Sequence, residues 1–78
     1  MVNNNPANLD WRNVYSSHVT RVAHDEKTGE LHVQWDTGKH SIYSDVDEKL
    51  ARRVMYASSV GGALINEVKN RKAHRYAP

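Results

Sequence analysis

The chain has 78 residues, of which 38% are hydrophobic and 26% charged, and it carries no cysteine and a formal net charge of +2. This length allows one domain with a thin core, because a chain of this size buries only about 60% of the surface that it exposes when unfolded. The absence of cysteine excludes disulfides and thiolate ligands, and no segment approaches the roughly 20 apolar residues of a membrane span. We therefore expect a cytoplasmic protein with no membrane-spanning segment.

The charges are divided along the chain. Residues 1–48 hold four basic and eight acidic side chains, whereas residues 49–78 hold seven basic side chains and one acidic. A strongly basic segment is typical of surfaces that bind polyanions such as nucleic acids.

The first 13 residues are predicted to form a flexible N-terminal arm, and residues 14–78 a single domain. Four asparagines and Pro6 favour irregular backbone in the arm. Trp11 is expected to pack on the surface of the domain, and the alternative is an aromatic side chain offered to a partner.

Three β-strands are predicted between residues 17 and 43. Leu31, Val33 and Trp35 alternate with polar residues, a period of two that places the three apolar side chains on one face and in the core. Polar turns at residues 25–29 and 36–39 separate this strand from β-branched segments on either side. Two successive hairpins of this kind form a three-stranded antiparallel meander.

Two helices are predicted to follow. Acidic residues at positions 45, 47 and 48 suit the first turn of a helix, and the first apolar stripe consists of Leu50, Val54 and Ala57. Residues 58–62 interrupt this helix, and the second stripe consists of Leu64, Ile65 and Val68. The fold class is therefore α+β, with the three-stranded meander followed by two helices packed on one face of the sheet.

The order of these residues resembles the KTSC domain, a small module named for the C-terminus of some lysyl-tRNA synthetases. The matching residues lie within 14–72 and are Ser16, Ser17, Asp25, Leu31, Val33, Trp35, Gly38, Tyr43, Val46, Ala57, Ser58, Ser59, Gly61, Val68 and Lys69. Ser41 stands where the first tyrosine of the family's tyrosine-x-tyrosine motif is expected, and Asp47 stands where a proline is usual. Ala63, Leu64 and Ile65 replace an aromatic pair and an asparagine. The resemblance implies no established activity, and its link to a synthetase suggests RNA binding.

The basic C-terminal segment is the main candidate binding site. On a continuing helix, Lys69, Lys72 and Tyr76 would be spaced i, i+3 and i+7, and Arg71 and Arg75 would be spaced i and i+4. Cations in this arrangement can follow a phosphate backbone while an aromatic ring stacks on a base. The alternative is a solvated helix end whose cations suit the helix dipole.

Three further residues complete the predicted nucleic-acid site. Arg52 and Arg53 are auxiliary phosphate ligands if the two helices pack side by side. Tyr43 is a candidate stacking ring on the exposed sheet face, as in single-strand RNA binders, or else a half-buried residue under a helix.

Five histidines raise the question of a metal ion. Their spacing matches no helical metal-binding pair, although a short hairpin can bring His32 and His40 together. Exposed imidazoles are the commoner explanation, and no metal site or cofactor is predicted. Ser16, Ser17 and His18 are adjacent, but neighbouring residues of a strand point to opposite faces, so we expect no enzymatic activity.

The sequence thus predicts a small non-enzymatic module that binds RNA through a basic C-terminal helix. With about five phosphates engaged, the slope of log affinity against log salt would be near −3.5. The alternative is a protein-interaction adaptor or inhibitor that uses the N-terminal arm or the sheet face, and self-association of the domain is a third possibility.

Overall fold

A computed structural model describes residues 9–78, and residues 1–8 lie outside the described part of the chain. The described residues form one sheet of five strands in sequence order, with every neighbouring pair antiparallel. The strands are β1 (Arg12–Asn13), β2 (Val19–Asp25), β3 (Glu30–Trp35), β4 (His40–Tyr43) and β5 (His74–Tyr76). The helices come between β4 and β5 in the chain.

The predicted meander corresponds to β2, β3 and β4. Two tight connections join these strands, and in each a glycine takes a positive φ angle, 72° at Gly29 and 92° at Gly38. Glycine adopts this left-handed backbone without the steric cost that a Cβ atom brings. The alternation of β3 places Leu31 and Val33 fully inside, as the period of two predicts.

The first helix is α1 (Glu48–Met55), and it begins where the acidic residues indicate. Asp47 is its N-cap, and the backbone N–H of Leu50 donates to the Asp47 carboxylate over 2.8 Å. This bond satisfies one of the amide donors that have no partner within the helix. The second helix is α2 (Val60–Leu64), which Ser59 caps in the same way.

A π-helical turn, Ile65–Lys69, continues directly from α2. Its hydrogen bonds span one residue more than those of an α-helix. Leu64 and Val68 are both completely buried, whereas Ile65 is 50% exposed. The prediction that Ile65 belongs to the buried stripe is therefore wrong, because the side chain points toward a surface cavity.

Both helices cover the same face of the sheet, and the core lies between the layers. The largest fully buried apolar side chains come from strands, helices and the loop before α1: Val22, Leu31, Val33, Val46, Val54, Leu64 and Val68. Burial of each such side chain stabilises the fold by about 1.5–3 kcal/mol before conformational entropy is counted. The α+β class with two helices on one face is confirmed, but the sheet has five strands rather than three.

The fifth strand corrects the prediction of a continuing C-terminal helix. The helical segment ends at Lys69, and β5 pairs with β4 so that Tyr76 lies opposite Ser41 and His74 opposite Tyr43. This pairing provides partners for backbone groups on one side of β4, which would otherwise be a sheet edge.

The other added strand comes from the predicted N-terminal arm. Arg12 and Asn13 pair with Val22 and Arg21 of β2, so they belong to the sheet. Trp11 packs on the domain, as expected. The remainder of the predicted arm is mostly residues 1–8, outside the described part. Within residues 9–78, no helix combines the length and the apolar character needed to cross a membrane.

Candidate nucleic-acid interface

A cavity of about 550 Å³ opens beside the β3–β4 hairpin, on the side of the sheet that carries the helices. Its walls come from four parts of the chain: the residue before β2, the β3–β4 hairpin, the π-helical turn with the residue after it, and β5. The residues that line it are His18, Trp35, Asp36, Thr37, Lys39, Ser41, Tyr43, Ile65, Lys69, Asn70, His74 and Tyr76.

Ser41 organises the inner wall of this cavity. It is 1% exposed, and its hydroxyl oxygen accepts a hydrogen bond from the Trp35 indole N–H over 2.7 Å. The Nε2 atom of His74 lies 2.8 Å from the same oxygen. A serine hydroxyl provides one donor and two acceptor sites, so one side chain can satisfy both neighbours. These bonds hold the indole and the imidazole in place.

Aromatic rings extend from this wall to the surface. The ring centroids of Tyr43 and His74 are 5.0 Å apart, and those of His74 and Tyr76 are 4.6 Å apart in an edge-to-face arrangement. Tyr43 is 2% exposed, whereas Tyr76 is 58% exposed. Burial raises the pKa of the Tyr43 hydroxyl, which therefore stays protonated. The cavity thus has a buried tyrosine inside and an accessible tyrosine at its mouth.

Two lysines lie at the rim of the cavity. The Lys39 ammonium is 5.3 Å from the centre of the Tyr76 ring, and Lys69 projects from the π-helical turn. Within residues 9–78, neither lysine has a carboxylate within 4 Å. The rim carboxylate of Asp36 lies 3.9 Å from His18. The arrangement therefore combines planar aromatic surfaces with two positive charges that are available to an anionic ligand.

The chain belongs to the KTSC domain family. The family model described as the KTSC domain matches residues 15–71, which confirms the resemblance. The crystal structure of a KTSC domain protein from Yersinia pestis has 21% sequence identity to this chain and a TM-score of 0.84. The similarity covers 90% of this chain and 99% of that one, and it shows the shared fold. No curated protein matches the sequence.

In this KTSC domain, three of the eight residues predicted to bind nucleic acid line the cavity: Tyr43, Lys69 and Tyr76. Tyr43 is on the helix-covered side and buried, so it is not a ring on the open face of the sheet. Three others, Arg53, Arg71 and Lys72, line a separate depression of about 300 Å³ beside α1.

The basic residues of the C-terminal third do not share one helical face, because the helix ends at Lys69. Most of them are also close to carboxylates. The pairs are Arg52–Glu48 at 3.2 Å, Arg53–Glu67 at 3.3 Å, Lys72–Asp45 at 3.5 Å and Arg75–Glu30 at 2.7 Å. The prediction that these cations form one patch on a continuing helix is therefore wrong. Their roles in binding phosphate stay predictions.

The hairpin does bring His32 and His40 together, on the sheet face opposite the helices. His32 Nδ1 and His40 Nε2 are 2.8 Å apart, the distance of a direct hydrogen bond. In the described part of the chain, no group of three or more His, Asp or Glu side chains is arranged to hold a metal ion.

Sequence reasoning predicted only three of the residues that line the cavity. Of the others, Trp35 was expected in the core, and Lys39, Ser41 and His74 were not predicted as site residues. Trp35 is only half-buried. The clearest sequence signal for the cavity was the serine in place of the family's tyrosine, because a small residue there leaves space that a large ring would occupy. Alternation of His74 and Tyr76 was a weaker signal for a strand.

Proposed function

We propose that this KTSC domain binds single-stranded RNA, with an unstacked base in the aromatic cavity and neighbouring phosphates at Lys39 and Lys69. The observation that carries the proposal is the combination at one cavity of an exposed tyrosine ring and two lysines without carboxylate partners among residues 9–78. The proposal is for a binding module without enzymatic activity, located in the cytoplasm.

Single-stranded RNA matches this chemistry better than a duplex does. Bases of a single strand can be turned outward and stacked on aromatic side chains, whereas those of a duplex are already stacked. Each base that stacks on an aromatic side chain contributes about 1–3 kcal/mol to binding. Tyr76 offers the accessible ring, and Ile65 provides apolar surface on another wall.

Other predicted phosphate ligands have a smaller part in this proposal. Arg52, Arg53, Lys72 and Arg75 would have to leave carboxylates before they could bind phosphate. Arg71 has no carboxylate within 4 Å among residues 9–78 and lies two positions after Lys69 in the chain. It lines the separate depression beside α1 and not the cavity, so it becomes a third phosphate contact only for a strand that continues from the cavity onto that surface.

A titration of single-stranded RNA at several salt concentrations tests the electrostatic part. Two or three phosphate contacts give a slope of log affinity against log salt of about −1.4 to −2.1, shallower than the value for five contacts. Replacing both Lys39 and Lys69 by glutamine should remove most of this slope. Lys27→Gln is the matched control, because Lys27 is exposed, has no ion pair among residues 9–78 and does not line the cavity. No binding at low salt, or an equal effect of the control, would refute the proposal.

The stacking part is tested by Tyr76→Ala, which should weaken RNA binding by about 5- to 100-fold, the equivalent of about 1–3 kcal/mol. Tyr15→Ala is the control, since Tyr15 is fully exposed and does not line the cavity. A loss of affinity that is the same for both variants would contradict a specific role of the cavity. Binding of a protein through the N-terminal arm, and self-association, remain predictions.

A further inference from the structure

The sheet face opposite the helices carries a compact group of aromatic and charged side chains around Trp11. The Trp11 ring centroid lies 5.3 Å from that of His40 and 6.2 Å from that of His32, with near-perpendicular planes. The guanidinium of Arg21 lies over the indole, 4.4 Å from its centre. His32 is 7% exposed beneath this group. We call Trp11, Arg21, His32 and His40 the Trp11 cluster.

The two imidazoles of the cluster share a hydrogen bond, and a neighbouring carboxylate indicates its direction. The Nε2 atom of His32 lies 3.9 Å from Glu30 Oε1, so a proton on that nitrogen is favoured. His32 Nδ1 is then the acceptor, and the His40 Nε2–H is the donor. In this arrangement the Nδ1 atom of His40 has a lone pair and is the place where an additional proton can bind.

Charged residues on β2, β3 and β5 affect the protonation of the two imidazoles. Arg21 of β2 disfavours a proton on His40, while Glu30 of β3 and Asp25 of β2 favour one on His32. Arg75 of β5 is bonded to Glu30 and acts against protonation of His32. Burial is nevertheless the largest influence on both imidazoles, and it opposes the charged form.

We propose that the Trp11 cluster is a proton-operated latch, which holds residues 9–13 on the sheet near neutral pH and releases them under mildly acidic conditions. An added proton places a charge on His40, which contacts the Trp11 ring and is disfavoured by the charge of Arg21. Departure of Trp11 lets water reach both imidazoles and screen the charge of Arg21. The released segment includes β1, which contributes only two residues to the sheet.

The direction of the effect follows from linkage between protonation and conformation. Burial lowers the pKa of His32 and of His40 below the ordinary value of 6.5 when Trp11 is seated. Release restores hydration and returns each pKa toward that value, so protons bind preferentially to the released state. The preference of the two histidines for the seated state is fully present above pH 6.5, and it decreases as the pH falls below this value. Each unit of difference in pKa shifts the equilibrium by up to about tenfold.

An NMR titration of the full chain from about pH 8 to pH 5 tests the latch. The indole N–H resonance of Trp11 should shift with a midpoint below pH 6.5, while the backbone amide resonance of Leu64, which is buried in α2 on the other side of the sheet, stays in place. The protection factor of the Asn13 amide, which removes the intrinsic pH dependence of exchange, should fall over the same range by up to about tenfold for each unit of pKa difference, because Asn13 pairs with Arg21.

Two variants make the titration decisive. Replacing both His32 and His40 by glutamine should abolish the transition at Trp11, whereas His18→Gln should leave it unchanged, because the His18 side chain is 80% exposed and pairs with Asp36. Three results would overturn the proposal: a Trp11 resonance that does not move, a transition that survives when both histidines are replaced, or simultaneous changes at Trp11 and Leu64 that report unfolding of the whole domain.

Discussion

Ser41 shows how one small residue shapes the candidate site. Its hydroxyl joins Trp35 and His74, and its size leaves the cavity open where the family resemblance leads one to expect a tyrosine ring. From the sequence, the serine was visible as a departure from the motif, but its two partners were not. They lie 6 positions before it and 33 positions after it.

Ser41→Ala should lower the free energy of unfolding by about 1–2 kcal/mol. The Trp35 indole N–H loses its acceptor in a partly buried place, and an unsatisfied donor costs more than the net value of its hydrogen bond. Urea denaturation measures the change, with the exposed Ser58→Ala as control. Equal stability of the two variants would show that the Ser41 hydroxyl does not hold the indole.

At the scale of elements, α1 is the best-predicted part of the fold. The acidic residues before it, Val54 of the apolar stripe and the basic residues in its last turn all act through neighbours within four positions. Ala57 of the predicted stripe lies beyond the end of the helix, and Ala51 is buried in its place. Local patterns of this kind are visible in a sequence because they require no knowledge of the tertiary structure. The same reason explains why the three central strands could be predicted from their alternation and turns.

Asp47→Ala should destabilise the domain by about 1 kcal/mol, since the Leu50 N–H loses the carboxylate that caps the helix. Thermal denaturation measures the effect, and the helical signal in circular dichroism should fall before the main transition. Asp47→Asn should retain most of the stability because asparagine also caps helices. If the asparagine variant were as unstable as the alanine variant, charge rather than capping would be the cause.

The end of the helical region was the least predictable element. Lys69, Lys72 and Tyr76 fit a helical spacing, yet the chain leaves the helix after the π-helical turn and forms β5. The competing interaction is the pairing of β5 with β4, more than 30 positions earlier in the chain. Helical spacing considers only residues near one another in the chain and not a strand such as β4. The prediction therefore extended the helix too far.

At the scale of the whole molecule, acid should weaken the fold in two steps. Lowered pKa values of His32 and His40 stabilise the native state above pH 6.5, and this stability is lost as the pH falls below that value. The hydrogen bond from Arg75 lowers the pKa of Glu30 below 4.5, which adds stability that disappears at still lower pH.

Urea denaturation at a series of pH values from about 8 to 3 measures this profile. Glu30→Gln should flatten the lower step, since glutamine does not titrate, and should move the upper step to lower pH, because Glu30 favours a proton on His32. A midpoint that is constant between about pH 8 and pH 5 would contradict the upper step. Because the Glu30–Arg75 pair is largely exposed on the arginine side, high salt should weaken the lower step more than the upper.

The sequence by itself determined the α+β class, the central meander, the capped first helix and the membership of the KTSC family, because these depend on residues that are near one another in the chain. Tertiary structure alone decided where the charges lie. Lys72 meets Asp45 across 27 positions and Arg75 meets Glu30 across 45, so cations that form a basic run in the sequence are separated and paired in space. It also decided the cavity, whose walls come from segments that only folding brings together.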